Sequence, residues 1–332
     1  MKFGPVPISD ALGGVLAHRE TLPDGILVKG RVLTSEDIDR LAAAGYDSVT
    51  VARLAADDVD EDAAATTLAE ALVAGAPGLR LSVAARGRVN VIAETPGLAL
   101  LNVDALLCCN RVDPMITVAT VAPMHRMDTG GLVATIKIIA YAVPESHLLS
   151  AIAAARASIA LARPVIPKVA MIETRIDRDL GDKGMTSLMT RLDRLGVAFA
   201  GRKFVDHDAT AIATALQQTD APLVCILTSS ATSDLHDTAP EGLRLAGGSV
   251  THFGMPVDPG NLLFLGDLGG RPVIGLPGCA RSTALNGADW ILERLVCGIA
   301  VTSDDIAAMG VGGLLKEIPS RPQPRRGADL TD

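Results

Sequence analysis

The sequence predicts an α/β protein: a three-layer α/β/α sandwich with a mostly parallel sheet in its C-terminal part, preceded by a strand-rich α+β module. Three observations carry this expectation. After residue 165, strand-like and helix-like stretches take turns, which is how a chain builds a parallel sheet covered by crossover helices. The run Pro222–Thr228 is apolar along its centre, Leu-Val-Cys-Ile-Leu, as a strand covered on both faces is. Before residue 160, short strand-like runs dominate instead.

In the first module Thr34 is placed to cap a helix that aligns Ile38, Leu41 and Ala42, with Asp37 at the capping-box position and Gly45 as its left-handed stop. The strand Ser48–Val51 follows. A second helix is expected over Asp58–Val73, its first turn acidic as the helix dipole favours. Strand-like runs then come at Arg88–Ala93, Met115–Val121 and Leu132–Val143, with a helix between the first two.

The second module predicts the strand Lys168–Glu173, a helix Thr186–Leu195 stopped by Gly196, the strand Phe199–Val205 and a helix Asp208–Gln217. Next come the strand Pro222–Thr228 and a helix Thr238–Ala246 ended by Gly247 and Gly248. Two runs, Leu262–Leu265 and Arg271–Leu276, flank a Gly269-Gly270 hairpin turn, and a last helix is expected from about Ser282 to Val296.

Composition bounds the function. The 332 residues, 48% hydrophobic and 20% charged, suffice for two domains, expected over residues 1–160 and 165–317, with a Pro/Arg-rich loose end at 318–332. Pro164 and Pro167 make an extended hinge between them. A net charge of −8 and an aromatic content of 2% argue against a nucleic-acid partner, which needs gathered cations and stacking platforms. Arg156 interrupts the apolar run Leu148–Ala162, and Asn102 with Asp104 interrupts Leu98–Cys109, so no membrane span is expected. Five cysteines without a CxxC pattern, and an N-terminus without an apolar leader, predict a cytoplasmic protein.

In an open α/β sheet, ligands bind beyond the carboxyl ends of the strands. Three loops qualify: Thr228-Ser229-Ser230-Ala231-Thr232-Ser233-Asp234, Asp258-Pro259-Gly260-Asn261, and Gly275-Leu276-Pro277-Gly278-Cys279-Ala280-Arg281-Ser282. The third has glycines on either side of a proline, which let backbone approach a ligand, and a following helix whose amino end favours an anion. Its alternative is a tight turn with Ser282 as N-cap. The first loop has five hydroxyls in seven residues, suited to a phosphate or a polar ring; its alternative is a solvated loop capping the next helix through Asp237. Asp206-His207-Asp208 reads as a strand-to-helix connection with Asp208 as N-cap rather than as a metal site, and Cys225 reads as core.

The segment VDPGNLLFLGDLGGRPVIGLPGCARS, Val257 to Ser282, resembles the end of the molybdopterin-binding domain of molybdenum-cofactor biosynthesis proteins, especially the molybdopterin molybdotransferases, which read roughly KPGKPLAFG, a hairpin, then GLPGNPVS. LTSSATSDLHD, Leu227 to Asp237, is similar to the family's TTGGVSVGDYD, and Val169 to Arg175 looks like its first strand. The pieces KGRVLTSEDIDRLAAAGYDSVTVARL and GRVNVIAET resemble longer bacterial molybdopterin-binding proteins, some of which continue into a cytidylyltransferase.

The resemblance implies molybdopterin as ligand or substrate, with magnesium and molybdate where transfer is catalysed, a homodimer, and a cytidylyltransferase or a molybdoenzyme as partner. Amides of Gly278 to Ser282 would hold the terminal phosphate and hydroxyls of Thr228, Ser230 and Thr232 would meet pterin or phosphate. Asp237 would be the catalytic or metal-orienting acid. Ser229, Ser233, Asp234, Pro259, Gly260, Asn261, Gly275, Pro277, Cys279, Arg281, Thr174 and Arg175 complete the implied site.

This chain departs from the pattern with Ser229-Ser230 for Gly-Gly, Asp258 and Asn261 for two lysines, and Thr174-Arg175 for an acid; Arg175 and Arg281 are the guanidinium groups left to meet a phosphate. Two readings stay open: an enzyme of cofactor maturation, molybdotransferase-like or nucleotide-processing, and a non-catalytic carrier serving a separate cytidylyltransferase.

Overall fold

A computed structural model describes residues 1–176 and 181–315, and the Pro/Arg-rich tail lies outside the described residues. The chain is mixed α/β and divides into two compact units, one comprising Met1–Thr95 and Ala99–Leu161, the other Pro96–Leu98 and the chain from Ala162. No helix among the described residues is long and apolar enough to cross a membrane.

In the first unit, strands Lys2–Pro7, Ser48–Arg53 and Val15–Leu16 form an antiparallel sheet whose apolar side chains Leu16, Val49 and Val51 bury Leu41 of the helix Ser35–Ala43. Thr34 and Asp37 form the expected capping box, and Gly45 has φ +81°. A second, four-stranded sheet takes the order Ile116–Thr120, Leu132–Ile138, Arg88–Ala93, Leu79–Leu81. Helices Glu61–Leu72, Val103–Val112 and Glu145–Ala155 share its buried cluster.

Several expectations are corrected. The helix anticipated over Asp58–Val73 begins only at Glu61, because Asp58–Asp60 is a strand and Asp60 accepts from the amides of Asp62 and Ala63 as N-cap. The run Leu132–Val143 is two strands, since its end, Ala142–Pro144, pairs with Asp58–Asp60. The Glu145–Ala155 helix was not anticipated: its alanine-rich sequence has little polar periodicity to mark a face.

Asp37 is fully buried. Its Oδ2 accepts from Arg31 Nε at 2.7 Å, Thr34 N at 3.1 Å and Thr34 Oγ1 at 3.0 Å. Burial pushes this carboxyl up, but the Arg31 guanidinium and the Thr34 donors outweigh it and hold it below the usual carboxylate range. A depressed carboxyl contributes stability above its unfolded pKa and loses it as pH falls through the folded one. Asp37→Ala is therefore expected to cost about 1–3 kcal/mol in urea melts at pH 7. That gap should narrow as the pH is taken below about 4. A gap that does not change with pH would assign the loss to packing alone.

In the second unit the strands β1 (Lys168–Arg175), β2 (Ala198–Asp206), β3 (Leu223–Leu227), β4 (Ser249–Phe253), β5 (Phe264–Leu268) and β6 (Arg271–Leu276) form one sheet in the order β2-β1-β3-β6-β5-β4. β1 pairs in parallel with β2 and β3, and β3 with β6; β5 runs antiparallel to both β6 and β4. β4 was not anticipated; its residues are mostly half-exposed and carry Ser, Thr and His, which hide an edge strand. The hairpin at Gly269 and Gly270 is present, both with positive φ.

Residues of β3 alternate between two buried clusters, as the period of two dictates. Leu223, Cys225 and Leu227 join Val169, Met171, Ile274 and Leu276 against α1 (Lys183–Asp193) and α4 (Gly287–Val296). Val224 and Ile226 join Ile172, Phe264 and Val273 against α2 (Ala209–Gln217) and α3 (Thr238–Leu245). The helix α5 (Ser303–Ala308) closes the first cluster with Ile306. The expected hinge is pinned on this unit, since the amides of Val165 and Ile166 both donate to Val296 O.

Candidate functional site

The parallel strands β1, β3 and β6 end side by side, and their last side chains alternate between the two faces of the sheet. On the α1 face the wholly buried carboxylate Glu173 accepts from Arg281 Nη1 through one oxygen and from Arg202 Nη1, at 3.2 Å, through the other. Arg202 also reaches Asp182 Oδ1 at 2.6 Å and stacks 4.1 Å from the centroid of the Phe204 ring. Arg281 extends on to Thr228 O at 3.1 Å. Its charge is thus committed to tying the GLPG turn to the ends of β1 and β3. A Cβ on Gly184, in the first turn of α1, would lie 2.5 Å from Leu227 Cδ2, 3.2 Å from Arg281 Nη1 and 3.3 Å from Glu173 Oε1, so glycine there makes room for the end of β3 first and for the ion pair second.

On the other face Thr174, also fully buried, accepts from Ser229 N at 2.9 Å and lies 3.0 Å from His207 Nδ1. Thr228 and Thr232, both buried, face each other at 3.3 Å.

The expected residues fall into three groups. The structure brings together the loops after β3 and β6: among the described residues the amides of Ser230, Ala231, Thr232, Gly278 and Cys279 have no intramolecular acceptor. Gly278 and Cys279 are exposed, and a Cβ built on Gly278 meets nothing within 4 Å. The second group is committed to turns. Asp237 Oδ2 accepts from Ser233 N at 3.0 Å and Oδ1 from Thr238 N at 2.7 Å, while Asp234 Oδ1 accepts from His236 N at 2.7 Å. Pro259 O accepts from Gly287 N at 2.8 Å, Gly260 lies against Gly287 with φ +146°, and Asn261 O accepts from Met255 N at 3.0 Å. Those contacts seal the start of α4. The third group is Arg175, exposed, with Asp206 Oδ1 3.9 Å from its Nε.

Two expectations about the GLPG loop change. Ser282 is not an N-cap: residues Gly278–Arg281 form a 3-10 turn, and α4 starts at Gly287 with Asn286 as N-cap and Asp289 completing a capping box. The amino end of that helix is thus occupied by its own side chains. Ser187 Oγ donates to Ala280 O and Ser282 O at 2.8 Å each, and Arg191, paired with Asp289, donates to Ser282 O at 2.9 Å, so the turn's carbonyls are held inward. That orientation leaves the amides of Gly278 and Cys279 outward. Gly275 and Pro277 are buried, and Gly275 lies under the Phe264 ring. The exposed Cys279 accepts from Asn286 Nδ2 at 3.1 Å.

Sequence reasoning missed Glu173 and Arg202, and gave His207 only a place in the connection between a strand and a helix. The available signal was a carboxylate closing the apolar run Val169–Ile172, where a charge survives only if paired. Among the described residues no group of three His, Cys, Asp or Glu side chains could hold a metal ion. Asp237, the implied metal-orienting acid, spends both carboxylate oxygens on the amides of Ser233 and Thr238.

A family model for a domain of unknown function (DUF8806) matches residues 5–53. None of the curated proteins matches the chain. Among solved structures, the chain is similar to a molybdopterin biosynthesis moea protein from Pyrococcus horikosii, at 14% identity and a TM-score of 0.31, over 90% of this chain and 75% of that one. It is also similar to a molybdenum cofactor biosynthesis protein from Pyrococcus furiosus, at 14% identity and a TM-score of 0.24, over 91% of this chain and 66% of that one.

Proposed function

We propose that the second unit, as a three-layer α/β/α module, binds a phosphate-bearing pterin of the molybdopterin class beyond the ends of β3 and β6, and that the protein acts in molybdenum-cofactor biosynthesis. The observation that carries the reading is the pair of neighbouring loops whose amides, Ser230 to Thr232 and Gly278 to Cys279, have no acceptor among the described residues. Amides left without an acceptor on adjacent loops supply partial positive charge that suits a phosphate. The GLPG and TSSATSD motifs that resemble the molybdopterin-binding family supply these same loops.

In this reading the backbone binds the phosphate and the side chains beneath hold the backbone. Arg281 acts through its tether to Glu173, fixing the turn rather than contacting the ligand. The hydroxyls of Ser229 and Ser230 border the same edge and orient a polar ring. Asp237 caps a turn with both oxygens, which supports the carrier reading over the molybdotransferase-like one.

Gly278→Val tests the proposal cleanly. Gly278 does not have a positive φ, so the strain that valine would impose on a left-handed turn does not arise, and its side chain projects into the space assigned to the phosphate. The variant is expected to melt within about 2 °C of the wild type, because nothing in the protein is displaced. It should bind molybdopterin at least about tenfold more weakly in calorimetric titration, a loss of about 1.4 kcal/mol. Wild-type affinity in the folded variant removes the loop from the site.

A further inference from the structure

We propose that the first unit carries a separate binding site for a small diphosphate-class anion. It is a cavity of about 640 Å³ lined by Arg19, Lys29, Arg86, Arg88 and Lys137, with Glu61 as its one carboxylate and Tyr141 in its wall. Five cations against one acid give a local charge of +4 in a chain whose net charge is −8. Like charges gathered in one concavity repel one another, and a bound anion relieves that repulsion.

Lys137 is the cation already engaged: its Nζ lies 3.6 Å from Glu61 Oε2 and donates to Arg86 O. Among the described residues no carboxylate pairs with Arg19, Lys29, Arg86 or Arg88. Tyr141 donates its hydroxyl to Ala17 O at 3.1 Å, which fixes the ring, and Lys29 Nζ stands 5.7 Å from the ring centroid.

The turn that presents two of the arginines is unusual. Ala85 and Arg88 exchange backbone hydrogen bonds at 3.1 and 3.2 Å, and the residues between them, Arg86 and Gly87, have φ of +53° and +69°. Gly87 is required, because a Cβ there would lie 2.5 Å from Ile138 O and 2.7 Å from Glu61 Oε2. Arg86 is not: such two-residue turns favour Asn, Asp or Gly, and an arginine in the left-handed region is strained. Among the described residues its side chain has no hydrogen-bond or ion-pair partner to offset that strain. A ligand for the guanidinium accounts for an arginine at that position.

Three guanidiniums and one ammonium without a carboxylate partner among the described residues select the ligand class. Guanidinium forks match phosphoryl oxygens two at a time, and a single carboxylate or monophosphate leaves cations unmatched, whereas a diphosphate brings a charge of about −3. The volume lies within the range of small-molecule sites and leaves room beside a diphosphate for an organic group against Tyr141.

The test is calorimetric titration of the whole chain with inorganic pyrophosphate and, in parallel, with a nucleoside diphosphate, at about 50 mM salt so that screening stays modest. Saturable binding of at least one is expected. Equal affinities assign the diphosphate itself, and tighter binding of the nucleoside form adds the wall at Tyr141. Arg86→Asn should weaken binding at least about tenfold while its melting temperature stays level or rises, because asparagine suits the left-handed backbone. The Arg19→Ala/Arg88→Ala variant should weaken it further, and Gly278→Val should leave it unchanged. The proposal is overturned if neither anion binds below about 5 mM. Binding that survives in Arg19→Ala/Arg88→Ala, or that is lost in Gly278→Val, overturns it equally; the latter result places the anion in the second unit and leaves the pterin proposal standing.

Discussion

Glu173→Ala is expected to destabilise the second unit by about 3–5 kcal/mol, because it leaves the Arg281 and Arg202 guanidiniums at the end of β1 without their shared carboxylate. Both arginine side chains are largely buried, 21% and 13% exposed, and Glu173 is fully so. Water cannot fully replace the lost partner. For a unit of this size such a loss lowers the melting temperature by about 6–20 °C. Arg281→Met in the same background should recover part of it, since one orphaned charge goes with its side chain, and the two substitutions should therefore be strongly non-additive. Glu173→Gln keeps the shape and one acceptor and should fall between wild type and alanine. Ligand binding should weaken along the same series even where the protein stays folded, because the GLPG turn loses its tether to β1. A Glu173→Ala protein melting within about 2 °C of wild type would show that the buried cluster does not hold the site's floor.

What was legible in the sequence is what neighbouring residues decide. Thr34 with Asp37, Gly45, the Gly269-Gly270 hairpin and Asp208 as N-cap each depend on groups within a few residues, and each is found where its chemistry predicts. The apolar β3 was legible because burial on both faces leaves a continuous hydrophobic run. The site's support was not. Glu173 meets Arg202 across 29 positions and Arg281 across 108, and only the sheet order brings them together. Ser282 and Asn286 show the limit for caps as well. Both are good N-cap residues, and the choice between them is made by Pro259 O, which accepts from Gly287 N, and by Asp289, which closes the capping box. Gly275 was read as a glycine that admits a ligand, whereas its neighbour is an aromatic ring on the adjacent strand, in register with it.

That last contact yields the other large expected effect. A Cβ added to Gly275 would lie 2.0 Å from two carbons of the Phe264 ring and 2.7 Å from a third, well inside van der Waals contact. Phe264 is fully buried among Ile172, Ile226, Leu243 and Val273, so its ring has nowhere to retreat without disturbing that cluster. Gly275→Ala is accordingly expected to cost about 2–4 kcal/mol, at or above the usual range for overpacking, and Gly275→Val to abolish cooperative folding of the second unit. Phe264→Leu in the Gly275→Ala background removes the clashing ring carbons and should restore at least about 1 kcal/mol relative to the sum of the single effects. The same pair of substitutions separates packing from binding. If Gly275 serves the sheet alone, the Gly275→Ala/Phe264→Leu protein, once folded, binds a molybdopterin-class ligand as the wild type does. A double variant that folds but has lost binding would return Gly275 to the ligand contact that its motif position suggested.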